Sequence, residues 1–376
     1  MPAELALKRR LRTAAACLFF AALGASAAMP PGDPFELEWR ELAPGVWAGV
    51  RPMSWRQPVV GSTLVVIGNT GVLAFDPAGF ALQGERLVQK VGELTDLPIT
   101  HLAVSHWHDD HHLGISKVLE KFPKAELIEQ EFTARAVVSP LMGDIDGPSD
   151  EELKAQRDGM QKALDTGKRS DGSPVTEAAR EYYADVLKHG DFVVADMRRA
   201  KVSMPTATVK DRRVIDLGGR SVELRHMAPG NTKGDLFLWV PEERILATGD
   251  IVVRPTPYGF GSYPRTWAGV LRDLKALDPR IIVPGHGEIL TDTAYLDLLA
   301  ETMELVVKQV DPMAAEGKSL DEIRAAFDWS PVEARFTGGD AMKARLFELW
   351  FKTPIVEAEY NEATGKGNES LEAPES

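Results

Sequence analysis

The sequence predicts an α/β fold whose strands deliver polar residues from their carboxyl ends, and three features carry that expectation. Short alternating segments near the start read as an antiparallel meander. A strand, helix, strand order follows from Thr100, and a second α/β half begins near Thr206. Between the halves, residues 131–200 are polar and helical with sparse apolar positions, which suits an insertion that covers a surface better than a domain with its own core.

The N-terminus comes first. Lys8, Arg9, Arg10 and Arg12 precede an apolar stretch, Thr13 to Gly24, too short to span a bilayer, and Ala25-Ser26-Ala27 supplies a small-residue cleavage site. Residues 1–27 therefore read as a secretory signal peptide, and the mature chain is expected to be periplasmic or secreted, with no membrane contact after cleavage. The single cysteine, Cys17, lies inside that stretch, so any metal site in the mature protein must use nitrogen and oxygen ligands. A formal net charge of -13 argues against a nucleic-acid partner, because phosphate recognition needs a concentrated basic face.

The meander comprises Phe35 to Leu42, Val46 to Val50, Val59 to Ile67 and Val72 to Phe75, punctuated by Pro44-Gly45 and Asn69-Thr70-Gly71. Arg51 to Pro58 carries Met53 and Trp55 and reads as a loop tip, with Trp55 either walling a substrate site or tucked onto the sheet. Gln83 to Leu94 has helical spacing, Thr100 to Ser105 is a strand, and a helix from Leu113-Gly114 to Phe122 leads to a strand at Ala125 to Ile128.

In the insertion, Ser149 with Glu152 forms a capping box for a helix to about Asp165, and Thr176 to Lys188 is a second helix ending at Gly190. The second half has strands at Ser221 to Met227, Leu236 to Val240, Arg244 to Ala247 and Ile281 to Val283, with a helix from Trp267 to Leu277. Polar residues again stand at strand ends: Asn231, Asp250 and His286. Helices at Ala294 to Val310, after the Ser319 and Glu322 cap, and at Ala341 to Lys352 complete a main domain of residues 28–356. Residues 357–376 read as an acidic, disordered tail.

His106-Trp107-His108-Asp109-Asp110-His111-His112 closes the apolar run Ile99 to Ser105 and holds four of the chain's eight histidines. Donors so close along one loop cannot all serve a single tetrahedral ion, so the spacing suggests two adjacent metal positions.

His106-x-His108-x-Asp110-His111, Asp250 in Ala247-Thr248-Gly249-Asp250, and His286 in Pro284-Gly285-His286-Gly287 together resemble the metallo-β-lactamase superfamily, over about Leu37 to His286. The resemblance implies an αββα sandwich with a metal site, usually dizinc, at one edge. It implies that His106 and His108 bind a first ion, that Asp110, His111 and His286 bind a second, and that Asp250 bridges them. It further implies that Asp76 supports the ligands without being one. One position departs: Pro229-Gly230-Asn231-Thr232-Lys233-Gly234-Asp235 has Asn231 where the family places histidine. Either Asn231 coordinates through oxygen, or water fills the gap, or His226 reaches in, so one or two Zn2+ ions are expected.

The activity so implied is hydrolysis of a small-molecule ester, amide, lactone or thioester by a metal-bound hydroxide, a β-lactam being one such substrate, with Asp110 orienting the water or helping to protonate the leaving group. The loop Arg254 to Tyr263 is dense in aromatic residues and is expected to line the substrate pocket, with Arg254 receiving an anion beside Tyr258. Two other classes stand beside this one: a metal-binding or ligand-binding protein without catalysis, and redox chemistry at a di-iron centre.

Overall fold

The structure, a computed structural model, describes residues 32–52, 58–143 and 149–371. The proposed signal peptide and Trp55 lie outside the described residues.

Strands β1 (Glu38–Ala43), β2 (Val46–Val50), β3 (Thr63–Ile67) and β4 (Val72–Phe75) form the expected antiparallel meander. Helix α1 (Ala81–Leu94) crosses over to β5 (Ile99–Ala103), which pairs parallel with β4. The short α2 (Asp109–His112) and α3 (Ile115–Lys121) then lead to β6 (Glu126–Gln130), parallel to β5, and α4 (Glu131–Ala136) follows.

The insertion helices α5 (Asp150–Thr166) and α6 (Glu177–Met197) return the chain to β7 (Ala207–Val209), which completes a seven-stranded sheet in sequence order. The capping box of Ser149 and Glu152 is formed. Helix α6 does not stop at Gly190. It continues because Val186, Val193, Val194 and Met197 share one buried cluster with Phe35 and Phe80, and that burial outweighs the cost of about 1 kcal/mol for one helical glycine.

The second sheet contains β8 (Arg212–Asp216), β9 (Ser221–Arg225), β10 (Phe237–Val240), β11 (Ile245–Ala247) and β12 (Ile281–Val283), in the order β12-β11-β10-β9-β8. Helices α7 (Pro264–Ala276), α8 (Ala294–Ala315), α9 (Leu320–Ala326), α10 (Glu333–Thr337), α11 (Ala341–Leu346) and α12 (Thr353–Ala363) cover its outer face, with a π-helical turn, Phe347–Lys352, between the last two.

Period-two alternation explains the layering. Leu64, Val66, Leu73 and Phe75 point into a core shared with Leu224, Leu238, Val240 and Ala247 of the other sheet. Their neighbours Val65, Val72 and Ala74 face α1 and α3, and Phe237 and Trp239 face α7 and α8. Strands buried on both faces read as continuous apolar runs, as these do. The layers are therefore helix, sheet, sheet, helix.

The expected tail is corrected. Glu357 to Ala363 continue α12, and the chain to Leu371 packs against the body, with Glu369 only 7% exposed. Polar side chains there serve as hydrogen-bonding groups, so the scarcity of apolar residues does not leave the segment loose. Residues 372–376 lie outside the described residues. No helix among the described residues is long and apolar enough to cross a membrane.

Candidate metal centre and pocket

The candidate ligands follow strands of the two sheets, His106 to His111 after β5, Asn231 after β9, Asp250 after β11 and His286 after β12, and all but Asn231 are brought together at one edge of the sandwich. Strand β5 ends at Ala103, and Ser105 to His112 turn directly into α2. Asp76 follows β4 with a left-handed φ of 49°, unusual for a residue with a side chain. In that conformation its Oδ1 accepts the Ser105 N–H at 2.6 Å, and its Oδ2 lies 3.0 Å from His111 Nδ1. The resemblance assigned Asp76 a supporting place, and this is the contact such support requires.

With Nδ1 so engaged, His111 presents Nε2 inward, 3.1 Å from His286 Nε2, 3.3 Å from Asp250 Oδ1 and 3.9 Å from Asp110 Oδ2. His286 is oriented by the Val60 carbonyl, 2.9 Å from its Nδ1, and its Nε2 lies 3.1 Å from Asp110 Oδ2. On the other side, His106 Nδ1 meets Ser105 Oγ at 2.8 Å, while its Nε2 lies 2.8 Å from His108 Nδ1 and 3.7 Å from Asp250 Oδ2.

Two groupings suited to a cation result: His106, His111 and Asp250, and Asp110, His111 and His286. Glycines permit the approach. A Cβ on Gly285 would lie 2.1 Å from Asp250 Oδ1, and Gly249, at φ 51°, packs against Ser105.

The electrostatics ask for positive charge. Asp250 is buried, and neither carboxylate oxygen has a hydrogen-bond partner among the described residues. A carboxylate left so is costly unless a cation meets it. Burial opposes charge on His111, yet Asp110, Asp76 and Asp250 around it hold its imidazole well above the usual range. Burial also opposes ionisation of Asp110, but His111 and His286 hold its carboxyl well below the ordinary carboxylate range. Burial and the neighbouring rings push His106 well below the usual imidazole range, leaving it neutral as a ligand must be. The buried carboxylates of Asp110 and Asp250 among the converging imidazole nitrogens of His106, His111 and His286 form a donor set that fits divalent metal ions.

Asn231 is buried, and its Nδ2 donates to the Tyr258 carbonyl at 3.1 Å, so its Oδ1 is the atom left over, without a hydrogen-bond partner among the described residues. His226 is engaged elsewhere, its Nδ1 2.8 Å from the Asp235 carbonyl oxygen. His112 pairs with Glu129 at 2.9 Å, both fully buried.

Beside the cluster lies a cavity of about 270 Å³. His108, Asp110 and Asp250 form its polar floor, and Tyr258, Phe260 and Trp350 line it; the Tyr258 ring sits 5.2 Å from the His286 ring. Arg254 does not line the cavity, contrary to the sequence expectation. Its guanidinium lies over the Tyr295 ring, 5.3 Å from the centroid, because its backbone N–H is tied to the His286 carbonyl and the side chain leaves on the helical side. Insertion helices α5 and α6 do not line the cavity; among the described residues of 131–200, Leu141 and Met142 reach it. The cover comes from α12 and the residues after it, which sequence reasoning missed because Asn361, Asn368 and Glu369 carry no periodic apolar signal.

The chain is similar to several known proteins. The sequence model described as Metallo-beta-lactamase superfamily matches residues 56–286, more than half of the chain. A linear primary-alkylsulfatase from Pseudomonas sp. (strain ATCC 19151) is 21% identical over 232 residues, covering 58% of this chain and 40% of its own. The stereoselective inverting sec-alkylsulfatase Pisa1 from Pseudomonas sp. superposes with a TM-score of 0.60 at 14% identity, over 87% of this chain and 50% of that one. A metallo-beta-lactamase from Pontibacter korlensis gives 0.48 at 16% identity, over 72% and 99%. This chain thus spans about half the length of the sulfatases or less. With the family match covering the strands and loops that carry His106 through His286, the chain belongs to the metallo-beta-lactamase superfamily of metal-dependent hydrolases.

Proposed function

We propose that the protein is an exported zinc hydrolase of a small-molecule ester, amide, lactone or thioester, β-lactams included. The observation that carries this reading is the convergence of His106, His108, Asp110, His111 and His286 around the buried Asp250 carboxylate, which has no hydrogen-bond partner among the described residues, at the floor of a cavity. His106 and His108, completed by the Asn231 amide oxygen, would hold one ion. Asp110, His111 and His286 would hold the other, with Asp250 shared. When bound, such ions supply Lewis acidity that makes water nucleophilic near neutral pH and polarises the bond to be cleaved.

The chain's own residues do the rest. Asp76 and the Val60 carbonyl fix the tautomers of His111 and His286, so that both present Nε2 to the site. Asp110, at the floor of the cavity beside His286, would orient the attacking water or help to protonate the leaving group. Tyr258, Phe260 and Trp350 take the apolar part of the substrate and exclude bulk water from it.

The test is a panel of nitrocefin, p-nitrophenyl esters, thioesters, lactones and linear alkyl sulfates, run on zinc-loaded protein with metal counted by plasma emission. Alkyl sulfates belong in it because one curated relative is a linear primary-alkylsulfatase. Asp110→Ala is expected to lower kcat by about 100-fold or more on whichever member turns over. No turnover by the fully loaded protein would replace this reading with a non-catalytic metal-binding one. Export is checked separately by sequencing the N-terminus of the protein recovered from the periplasm or medium, expected after Ala27 or Ala28.

A further inference from the structure

The cavity has a wall that none of the motif residues supplies. Pro354, Glu357, Ala358 and Asn361 of α12 face it, and Asn368 and Glu369 close its rim. We propose that the segment from Pro354 to Glu369 determines which substrates the cavity accepts, and that Glu369 is the positioning residue that seats it.

The argument starts from one buried carboxylate. Glu369 Oε1 accepts the indole N–H of Trp107 at 2.5 Å, and its Oε2 accepts the backbone N–H of Lys233 at 2.7 Å. Lys233 Nζ returns a bond to the Glu369 carbonyl at 2.9 Å. Trp107 stands between His106 and His108; Lys233 stands two residues after Asn231. Glu369 thereby ties the C-terminal segment to the ligand-bearing loops of both halves of the fold.

Asn368 makes a second tie. Its Nδ2 donates to the carbonyls of Ser262, at 2.7 Å, and of Ala358, at 3.0 Å, while its Oδ1 accepts from Asn361 at 3.1 Å. The segment is thus fastened to the loop holding Tyr258 and Phe260 as well. Helix α12 itself is held by Ile355 and Val356 in the core, whereas the residues after Ala363 have few apolar contacts, and this satisfaction of buried polar groups fixes their position against it.

The consequence concerns the non-reacting end of the substrate. Val59, Leu141, Met142, Phe260, Pro354 and Ala358 give the cavity an apolar lining, and Pro354 and Ala358 are the segment's share of it. A small leaving or acyl group at the metal floor need not touch Pro354 and Ala358; a longer aliphatic group must. Loosening the segment should therefore act on substrates in proportion to their length.

The experiment uses the full chain with Glu369→Ala and Glu369→Gln, and it has two readouts. Amide hydrogen exchange at Lys233 reports the seat directly and does not depend on activity. It is expected to accelerate in Glu369→Ala and to be largely restored in Glu369→Gln, whose side-chain oxygen still accepts one bond. The second readout is KM and kcat on p-nitrophenyl esters from acetate to laurate, with metal content measured on each preparation. This part rests on the hydrolase reading. Glu369→Ala is expected to raise KM for octanoate and laurate by roughly tenfold and for acetate by much less.

Unchanged exchange at Lys233 would overturn the seat. A loss of kcat independent of chain length, or a uniform change in KM, would overturn the specificity role. If wild-type protein cleaves none of the esters while Lys233 exchange responds as expected, the ester-hydrolase reading fails and the seat stands.

Discussion

Asp76 Oδ2 lies 3.0 Å from His111 Nδ1, and the same carboxylate takes the Ser105 backbone N–H at 2.6 Å through its other oxygen. One side chain at the end of β4 therefore sets both the ring orientation of His111 and the path of the chain that carries His106 and His108. Asp76→Asn keeps the shape but replaces one acceptor with a donor, which clashes with an Nδ1–H on His111. Zinc affinity is expected to fall about 10- to 100-fold. Titration with a chromophoric chelator measures it, and an unchanged affinity would remove Asp76 from the support of the centre.

Asn231 offers a complementary change. Its amide nitrogen is committed to the Tyr258 carbonyl, and an amide oxygen binds zinc less well than an imidazole. Asn231→His is expected to tighten the weaker zinc site by roughly tenfold, about 1.4 kcal/mol. Calorimetric titration of metal-free protein resolves the two sites. If affinity at the weaker site is unaltered, position 231 is not part of the ligand set.

Much of this is legible in the sequence alone. The apolar runs of β3 and β4, the capping boxes at Ser149 and Ser319, and the polar residues closing β5 and β12 are local signals, and local signals survive in a single sequence. What escaped was decided over long distances. Arg254 looked like an anion receptor because a guanidinium beside aromatic residues is a familiar pocket element; its direction was set by Tyr295, over 40 positions away. Helix α6 ran through Gly190 because Val193 and Val194 meet Phe35 and Phe80, a contact no window on α6 contains. Glu369 and Trp107, 262 residues apart, pair through one hydrogen bond, and nothing near either residue announces the other.

Asp235 makes stability depend on pH. Burial pushes its carboxyl up to about 8, against hydrogen bonds from the Thr232 N–H and hydroxyl to Oδ1 that favour the charged form. Its Oδ2 has no partner among the described residues, as suits a protonated oxygen. The folded state keeps a proton that the unfolded chain has already released above about pH 4, so stability falls as pH rises through about 8. Between pH 6 and 9 the loss from this group is expected to be on the order of 2 kcal/mol. Asp235→Asn keeps an acceptor for Thr232 and carries no titrating proton. Urea unfolding across that range should show a flatter pH dependence in the variant, and parallel curves would assign the dependence to other groups.

His112 and Glu129 form a pair apart from the metal ligands, with Nε2 and Oε1 2.9 Å apart and both residues fully buried. The contact joins α2, which carries Asp110 and His111, to the strand β6 behind it. Removing one partner leaves the other fully buried without it, and breaking a buried pair of this kind typically costs about 3–5 kcal/mol. Glu129→Ala is expected to lose stability on that scale, whereas the double variant His112→Leu, Glu129→Leu removes both polar groups and should recover a large part of it. Denaturant unfolding of the single and double variants, each with its metal content measured, checks this. A single variant as stable as wild type would show that the pair carries no net burden of buried polarity. A destabilised Glu129→Ala protein that still binds its full complement of zinc would separate the scaffold beneath α2 from the chemistry above it.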